Sequence, residues 1–309
     1  MNQAKPSNPY RSNLMMPLHK MRFVEKCYLR DADVITLDLE DSVLPCEKDE
    51  ARRNAKQGIE IAGRGGADVL VRINSERENY LKDLEACIYP GLSGILIPKV
   101  ENVWNVLDIE QIIGELEKER GIKSGTIYTF LTVETARGYV EMNRIAAACK
   151  RAVTLCIGQE DFSRDIGIET PEGNELAIPN YHMIIVANAY DLIPIGLVAS
   201  LSDYKNLDYF AKIVANSSRI GLKGAACIHP AQVPYLNTGF SPSKDKVEYA
   251  QKVIEVFEES QRRGDGATSL DGKMVDRPVV DRAMKVLQEQ KRIDDFQAYK
   301  QKMLQENIR

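Results

Sequence analysis

Ile127-Tyr-Thr-Phe-Leu-Thr-Val-Glu134 and Ala152-Val-Thr-Leu-Cys-Ile-Gly-Gln-Glu-Asp161 are the two stretches whose reading decides the fold. Each is an apolar run that stops abruptly at acidic side chains, and the segment between them has the length and pattern of one helix. Strand, helix and strand at this interval form the repeat of a parallel α/β fold. Its strands are covered on both faces, so they read as continuous apolar runs rather than alternating ones.

The same repeat extends in both directions. Further strands are predicted at Asn13–Pro17, Asp33–Leu39, Asp68–Ile73, Gly94–Pro98, Ile195–Ala199 and Ala225–Ile228, which with Ile127–Val133 and Ala152–Ile157 makes eight. Helices are predicted between them over Arg22–Arg30, Glu47–Ala62, Leu81–Ile88, Val103–Arg120, Arg137–Lys150, Leu176–Leu192 and Asp208–Ile220. One (β/α)8 TIM barrel over residues 1–235 is the expected architecture, and an open doubly wound sheet is its rival. Residues 236–309 read as a helical extension, with long charged segments at Pro242–Arg263 and Arg282–Gln305, placed as a lid or an inter-subunit contact.

Bulk properties remove several functional classes. The 309 residues carry a net charge of −4, so there is no basic footprint for nucleic acid or an anionic membrane. No apolar run reaches the ~20 residues of a membrane span, and the polar stretch Met1–Arg11 lacks the apolar core of a signal peptide. The six cysteines are scattered without a CxxC pair, the pattern of reduced thiols in a cytoplasmic protein.

In a barrel, the residues just past each strand ring one mouth, where the chemistry sits. That ring contains Asp38-Leu-Glu-Asp-Ser42, Arg72-Ile-Asn74, Lys99, Glu134, Gly158-Gln-Glu-Asp161, Ser202-Asp203 and His229. Glu134 and Asp161 could each cap the helix that follows. As a pair on adjacent strands, in a chain with three histidines, they also suit a hard cation such as Mg2+ or Mn2+. Arg72 can bind a carboxylate or enolate through two parallel hydrogen bonds, or pair structurally with Glu40 or Asp41. Lys99 as a Schiff-base lysine would mean a metal-free aldolase. A neutralising role fits better beside so many carboxylates.

Several motifs occur together and in order: Asp33-Val-Ile-Thr-Leu-Asp-Leu-Glu-Asp-Ser-Val43, Glu47-Lys-Asp-Glu-Ala-Arg-Arg53, Val71-Arg-Ile-Asn74, Ile97-Pro-Lys-Val-Glu101, Val133-Glu-Thr-Ala136, Ile157-Gly-Gln-Glu-Asp-Phe162 and Gly272-Lys-Met-Val-Asp276. In this set the chain resembles the citrate lyase β-subunit-like (CitE-like) branch of the HpcH/HpaI aldolase superfamily, over roughly residues 11 to 290. It departs from the family at the turn after the first strand, where Pro17-Leu-His-Lys-Met21 stands for a Pro-Gly-Asn-Arg-Pro-like turn and only Lys20 keeps the charge.

The resemblance implies a TIM barrel assembled as a homotrimer or a dimer of trimers. It implies an Mg2+-dependent carbon–carbon lyase that joins or cleaves a 2-oxo acid and an acetyl thioester, with a coenzyme A thioester such as malyl-CoA, citramalyl-CoA or a citryl thioester as substrate. By the same likeness Glu134 and Asp161 are the metal ligands, and Arg72 contacts the substrate carbonyl or carboxylate. Asp276, supplied by a neighbouring subunit, is the acid or base. Glu40 and Asp41 are expected at the substrate beside Arg72. Alternatives are an Mg2+-dependent aldolase acting on free 2-oxo or hydroxy acids, and a subunit active only within a lyase complex.

Overall fold

The structure is a computed structural model that describes residues 8–169, 175–199, 205–264 and 268–307. Eight parallel strands make one sheet: β1 (Ser12–Pro17), β2 (Val34–Asp38), β3 (Asp68–Arg72), β4 (Gly94–Ile97), β5 (Tyr128–Val133), β6 (Ala152–Ile157), β7 (Ile193–Ile195) and β8 (Ala225–Cys227). Sequential strands are neighbours from β1 to β7, and β8 returns to pair with β1. Hydrogen bonds from Gly196 N to Gly224 O (2.8 Å) and from Lys223 N to Pro194 O (2.9 Å) close the seam between β7 and β8. The chain is a TIM barrel.

The helices are α1 (Met21–Val24), α2 (Lys48–Ala62), α3 (Arg77–Cys87), α4 (Val103–Glu119), α5 (Ala136–Ala148), α6 (Gln159–Asp165), α7 (Ala177–Ala189), α8 (Leu207–Ile220), α9 (Val233–Gly239), α10 (Lys244–Arg262) and α11 (Arg277–Asn307). Two compact units result. The barrel unit runs from Tyr10 to Phe240 and takes back the end of the chain from Lys300. The second unit, Ser241–Tyr299, has its own core of Ala250, Val253, Phe257, Val275, Val280 and Ala283. Within it β9 (Thr268–Leu270) and β10 (Lys273–Val275) form an antiparallel hairpin.

Alternation along the strands sorts the barrel's apolar residues into two sets. Leu14, Ile35, Leu37, Val69 and Val71 belong to the large cluster that also holds the buried residues of the helices. Val34, Leu70, Leu96, Phe130 and Val153 form a separate inner cluster with Tyr10, which fills the lower barrel. Gly94 is required there, because a Cβ would come within 2.6 Å of the Phe130 ring.

Three local expectations are corrected. The seventh strand lies at Ile193–Ile195 rather than Ile195–Ala199, because Gly196 turns away at φ +145°, a conformation that favours glycine. Pro194 is tolerated because it sits on the seam strand, where fewer N–H donors are needed. The predicted helix Arg22–Arg30 is instead α1 followed by a 3₁₀ turn at Cys27–Arg30. The extension over 236–309 is not helical throughout: it contains the β9–β10 hairpin, where Asp271 (φ +50°) and Gly272 (φ +73°) form the left-handed two-residue loop that Asp-Gly favours in hairpins.

The barrel floor is tied by a buried charge cluster. Asp33 accepts hydrogen bonds from Arg11 N (3.0 Å), Nε (2.8 Å) and a terminal nitrogen (2.9 Å), and from Lys300 Nζ (3.1 Å). Burial works to raise the Asp33 carboxyl, but Arg11 and Lys300 hold it below its ordinary value. Asp33→Ala leaves two buried cations without their shared partner. It should cost about 3–5 kcal/mol in urea unfolding at pH 7. A loss below about 1 kcal/mol would show that the cluster contributes little.

Candidate active site

A cavity of about 470 Å3 opens at the C-terminal ends of the strands and runs into the barrel. Its rim includes Asp38, Asp41, Ser42, Arg72, Glu134 and Asp161, and its inner wall includes Asn13, Met15, Leu96, Cys156, Ile195 and Ala226. Sequence reading placed the rim residues on separate strand ends. The barrel brings them around one opening.

Arg72, the last residue of β3, is held by the residues after β2. Its Nε and one terminal nitrogen donate to the two Asp38 carboxylate oxygens, both at 2.7 Å, in a bidentate pair. The other terminal nitrogen lies 3.1 Å from Glu40 Oε2. A guanidinium has five N–H donors. Asp38 takes two of them, and Glu40 adds its charge beside the other terminal nitrogen without a hydrogen bond. Burial would raise the Asp38 carboxyl, but the hydrogen bonds and charge of Arg72, with Ser42, hold it below its usual value. Asp38 is the orienting residue among the three acids of this loop.

Glu40 is buried and lies behind the cavity, between Arg72 and the Lys99 ammonium. Desolvation pushes its carboxyl up despite those cations. Asp41 is on the rim, with Lys99 Nζ at 3.3 Å. Burial favours the neutral form of Lys99, yet Glu40 and Asp41 raise its pKa above the ordinary value. Lys99 is therefore a charged partner of carboxylates, which does not suit a Schiff-base nucleophile.

Glu134 follows β5 and is 8% exposed. One oxygen accepts from the Lys99 backbone N–H at 2.9 Å, a contact that Lys99 offers from a left-handed φ of +49°. The other oxygen occupies the space beside Gly158, where a Cβ would stand 2.4 Å from Glu134 Oε1. Burial pushes the Glu134 carboxyl up to about 7, with the Glu40 charge next in importance. Asp161, in the first turn of α6, shares the cavity and adds to this repulsion.

These two residues fit a hard divalent cation. Both are oxygen donors, and a positive ion between them relieves the desolvation and repulsion that burden Glu134. Among the described residues no group of three or more His, Cys, Asp or Glu side chains forms a metal cluster. Two protein carboxylates leave the remaining positions for water and substrate, as Mg2+ prefers. Cys156 also lines the cavity, but burial and then Glu134 push its thiol up to about 12, so it offers no thiolate.

A second layer of polar side chains holds the loop after β2. Lys48 Nζ donates to Leu39 O (2.9 Å) and Glu40 O (3.1 Å) and contacts Asn74. Asn74 donates to Asp83 through its backbone N–H (2.8 Å) and amide (2.7 Å), and Arg52 Nε closes the chain on Asp83 at 2.8 Å. The unusual turn Pro17–Met21 is seated by Leu18, which fills the space that Gly58 leaves on α2. The sequence places Asn74 and Gly158 at strand ends without a role and gives no sign of Asp83 or Asn13; Lys48 is visible only as part of a motif.

Asp276 lies in the second unit, where its carboxylate accepts from Val279 N at 3.1 Å at the start of α11. His229 caps the turn after β8 by accepting from Ala231 N at 3.2 Å. Ser202-Asp203 lies outside the described residues.

Comparison with known proteins gives a consistent result. The family model of HpcH/HpaI aldolase/citrate lyase matches residues 11–230. Citrate lyase subunit beta of Haemophilus influenzae is 32% identical, covering 91% of this chain and 97% of its own length. An L-malyl-CoA/beta-methylmalyl-CoA lyase of Cereibacter sphaeroides is 29% identical, covering 88% of this chain and 91% of its own length. The structure of Mycobacterium tuberculosis CitE in complex with magnesium, acetoacetate and coenzyme A superposes with a TM-score of 0.71 at 25% identity, covering 94% of this chain and 100% of that one.

Two outcomes test the geometry around Glu134. In metal-free buffer the folded chain binds the Glu134 proton more tightly than the unfolded chain, so folding stability falls as pH rises from 4.5 to about 7. Glu134→Gln removes that penalty and should stabilise the chain by about 3 kcal/mol at pH 8 and little at pH 5, in denaturant melts with EDTA. Equal stabilities at both pH values contradict the buried, strained carboxylate. Gly158→Ala should displace Glu134 and weaken Mn2+ binding in a titration while the fold, read by circular dichroism, persists.

Proposed function

The chain belongs to the HpcH/HpaI aldolase/citrate lyase family and is a carbon–carbon lyase, and from that premise we propose an Mg2+-dependent enzyme acting on a short acyl-CoA thioester. It cleaves a hydroxyacyl thioester, with a carboxylate beside its hydroxyl, into a 2-oxo acid and an acetyl thioester, or runs the reverse condensation. The observation that carries this reading is one cavity edged by a carboxylate pair and by an arginine fixed in place by Asp38.

Glu134 and Asp161 hold the cation, with Mn2+ as a substitute for Mg2+. When bound, it supplies Lewis-acid polarisation and a template for the substrate carboxylate and hydroxyl oxygens. After a base takes the hydroxyl proton, the C–C bond breaks and its electron pair passes into the thioester enolate. Arg72 stabilises that developing charge, and Asp38 fixes the guanidinium plane in advance, so no reorganisation is needed as the charge forms. Asp41 sits on the rim near the substrate, while Glu40 acts from behind through Arg72 and Lys99. Asp276 of a second copy in a homo-oligomer protonates the enolate carbon.

Steady-state assays with malyl-CoA, citramalyl-CoA and free hydroxy acids, with and without Mg2+, test the reading. Arg72→Lys should lower kcat by about 10²–10³-fold, since an ammonium reproduces neither the pairing with Asp38 nor the planar donors. Wild-type kcat in that variant overturns the role of Arg72. Mixing inactive Glu134→Gln and Asp276→Asn chains should restore part of the activity through hybrid oligomers. Failure of every mixture contradicts the contribution from a second copy.

A further inference from the structure

We propose that the cavity beneath the Glu134–Asp161 pair receives an extended acyl group of the substrate, and that Asn13 donates a hydrogen bond to an uncharged oxygen near its far end. The inference rests on the lyase reading above and narrows its substrate class.

Asn13 belongs to β1 and is register-paired with Val34 on one side and Ala226 on the other. It precedes by four residues Pro17, the partner of Asp38. At about 3.3 Å per residue and a strand tilt near 36°, Asn13 lies roughly 10 Å down the barrel from the Asp38–Arg72 pair. It nevertheless lines the same cavity, so the opening at the mouth continues to this depth.

The interior of such barrels is ordinarily filled by layers of bulky branched side chains. Here Cys156 and Ala226 stand at inward positions of β6 and β8, and their small volumes leave the centre open. The wall between rim and floor is mostly apolar, with Met15, Leu96 and Ile195 beside the single hydroxyl of Thr132. A two- or three-carbon oxo acid held at the rim leaves that wall without a partner, whereas an alkyl chain would bury it.

The floor is not apolar throughout. Asn13 is 5% exposed, and the hydroxyl of the buried Thr36 donates to its Oδ1 at 2.7 Å. That bond occupies Oδ1, so Nδ2 is the amide atom left over for the cavity that Asn13 lines. A ligand oxygen that replaces water at this donor keeps its hydrogen bond, whereas an alkyl group in the same place leaves it unmet. No charged side chain lines the cavity at this depth, so the matching group is neutral: a ketone, hydroxyl or ether oxygen rather than a carboxylate.

The test is kcat/KM for condensation of acetyl-CoA with pyruvate, 2-oxohexanoate and 2,5-dioxohexanoate, using the full chain with Mg2+. The six-carbon acids share one length and differ by a single distal ketone. 2-Oxohexanoate should exceed pyruvate, and 2,5-dioxohexanoate should exceed 2-oxohexanoate by about fivefold, the value of one net hydrogen bond. In Asn13→Leu the ratio between the two six-carbon acids should fall to near one. A preference for pyruvate, equal values for the two six-carbon acids, or an unchanged ratio in Asn13→Leu overturns the inference, and the wild-type series decides it even if that variant does not fold. If no acid turns over, the lyase reading fails instead. Ligand-observed NMR affinities of the same three acids then judge the cavity by the same ranking.

Discussion

Everything at the barrel mouth depends on the bidentate pair between Arg72 and Asp38. A guanidinium at the end of a buried strand is costly unless its charge and donors are matched. Asp38 matches two donors in a plane, and Glu40 and Asp41 add charge on the remaining side. Those acids in turn require Lys99, and the Lys99 backbone supplies the N–H that holds Glu134. Positioning of the arginine therefore passes through three strand ends to Glu134. The network is rigid because Lys48, Asn74, Asp83 and Arg52 pin the β2 loop from below.

The site also carries a cost in stability. Glu134 is buried beside another acid, in a space that exists only because residue 158 is glycine. Such an arrangement works against the folded state near neutral pH in the absence of a cation, and favours binding one. Strain of this kind is what a functional site retains when the surrounding core is strong enough to hold it. The inner cluster around Phe130 and the Asp33 cluster at the barrel floor provide that support.

Much of this was legible in the sequence. The continuous apolar runs gave the parallel barrel because buried parallel strands leave no polar alternation to confuse the pattern. Strand ends then located Glu134, Asp161 and Arg72 on one rim. The seventh strand was misplaced because Gly196 and Pro194 mark a seam, where register depends on the β8 partner rather than on local propensity. The β9–β10 hairpin was missed because three-residue strands are too short to show a period, although Asp271-Gly272 marked its turn. The roles of Asn13 and Gly158 could not be read at all. Their meaning is spatial: one is a donor at the bottom of a cavity, the other the absence of a side chain beside Glu134.

The central claim is that Glu134 and Asp161 together form the cation site that faces the oxo acid. Electron paramagnetic resonance of Mn2+ titrated into the purified chain, with 17O-labelled pyruvate present, reads this without relying on turnover. One Mn2+ site per chain, with its lines broadened by the labelled acid and lost in Asp161→Asn, is the predicted result. Tight Mn2+ binding that persists in Asp161→Asn, or a bound ion whose lines ignore the labelled acid, would contradict the account.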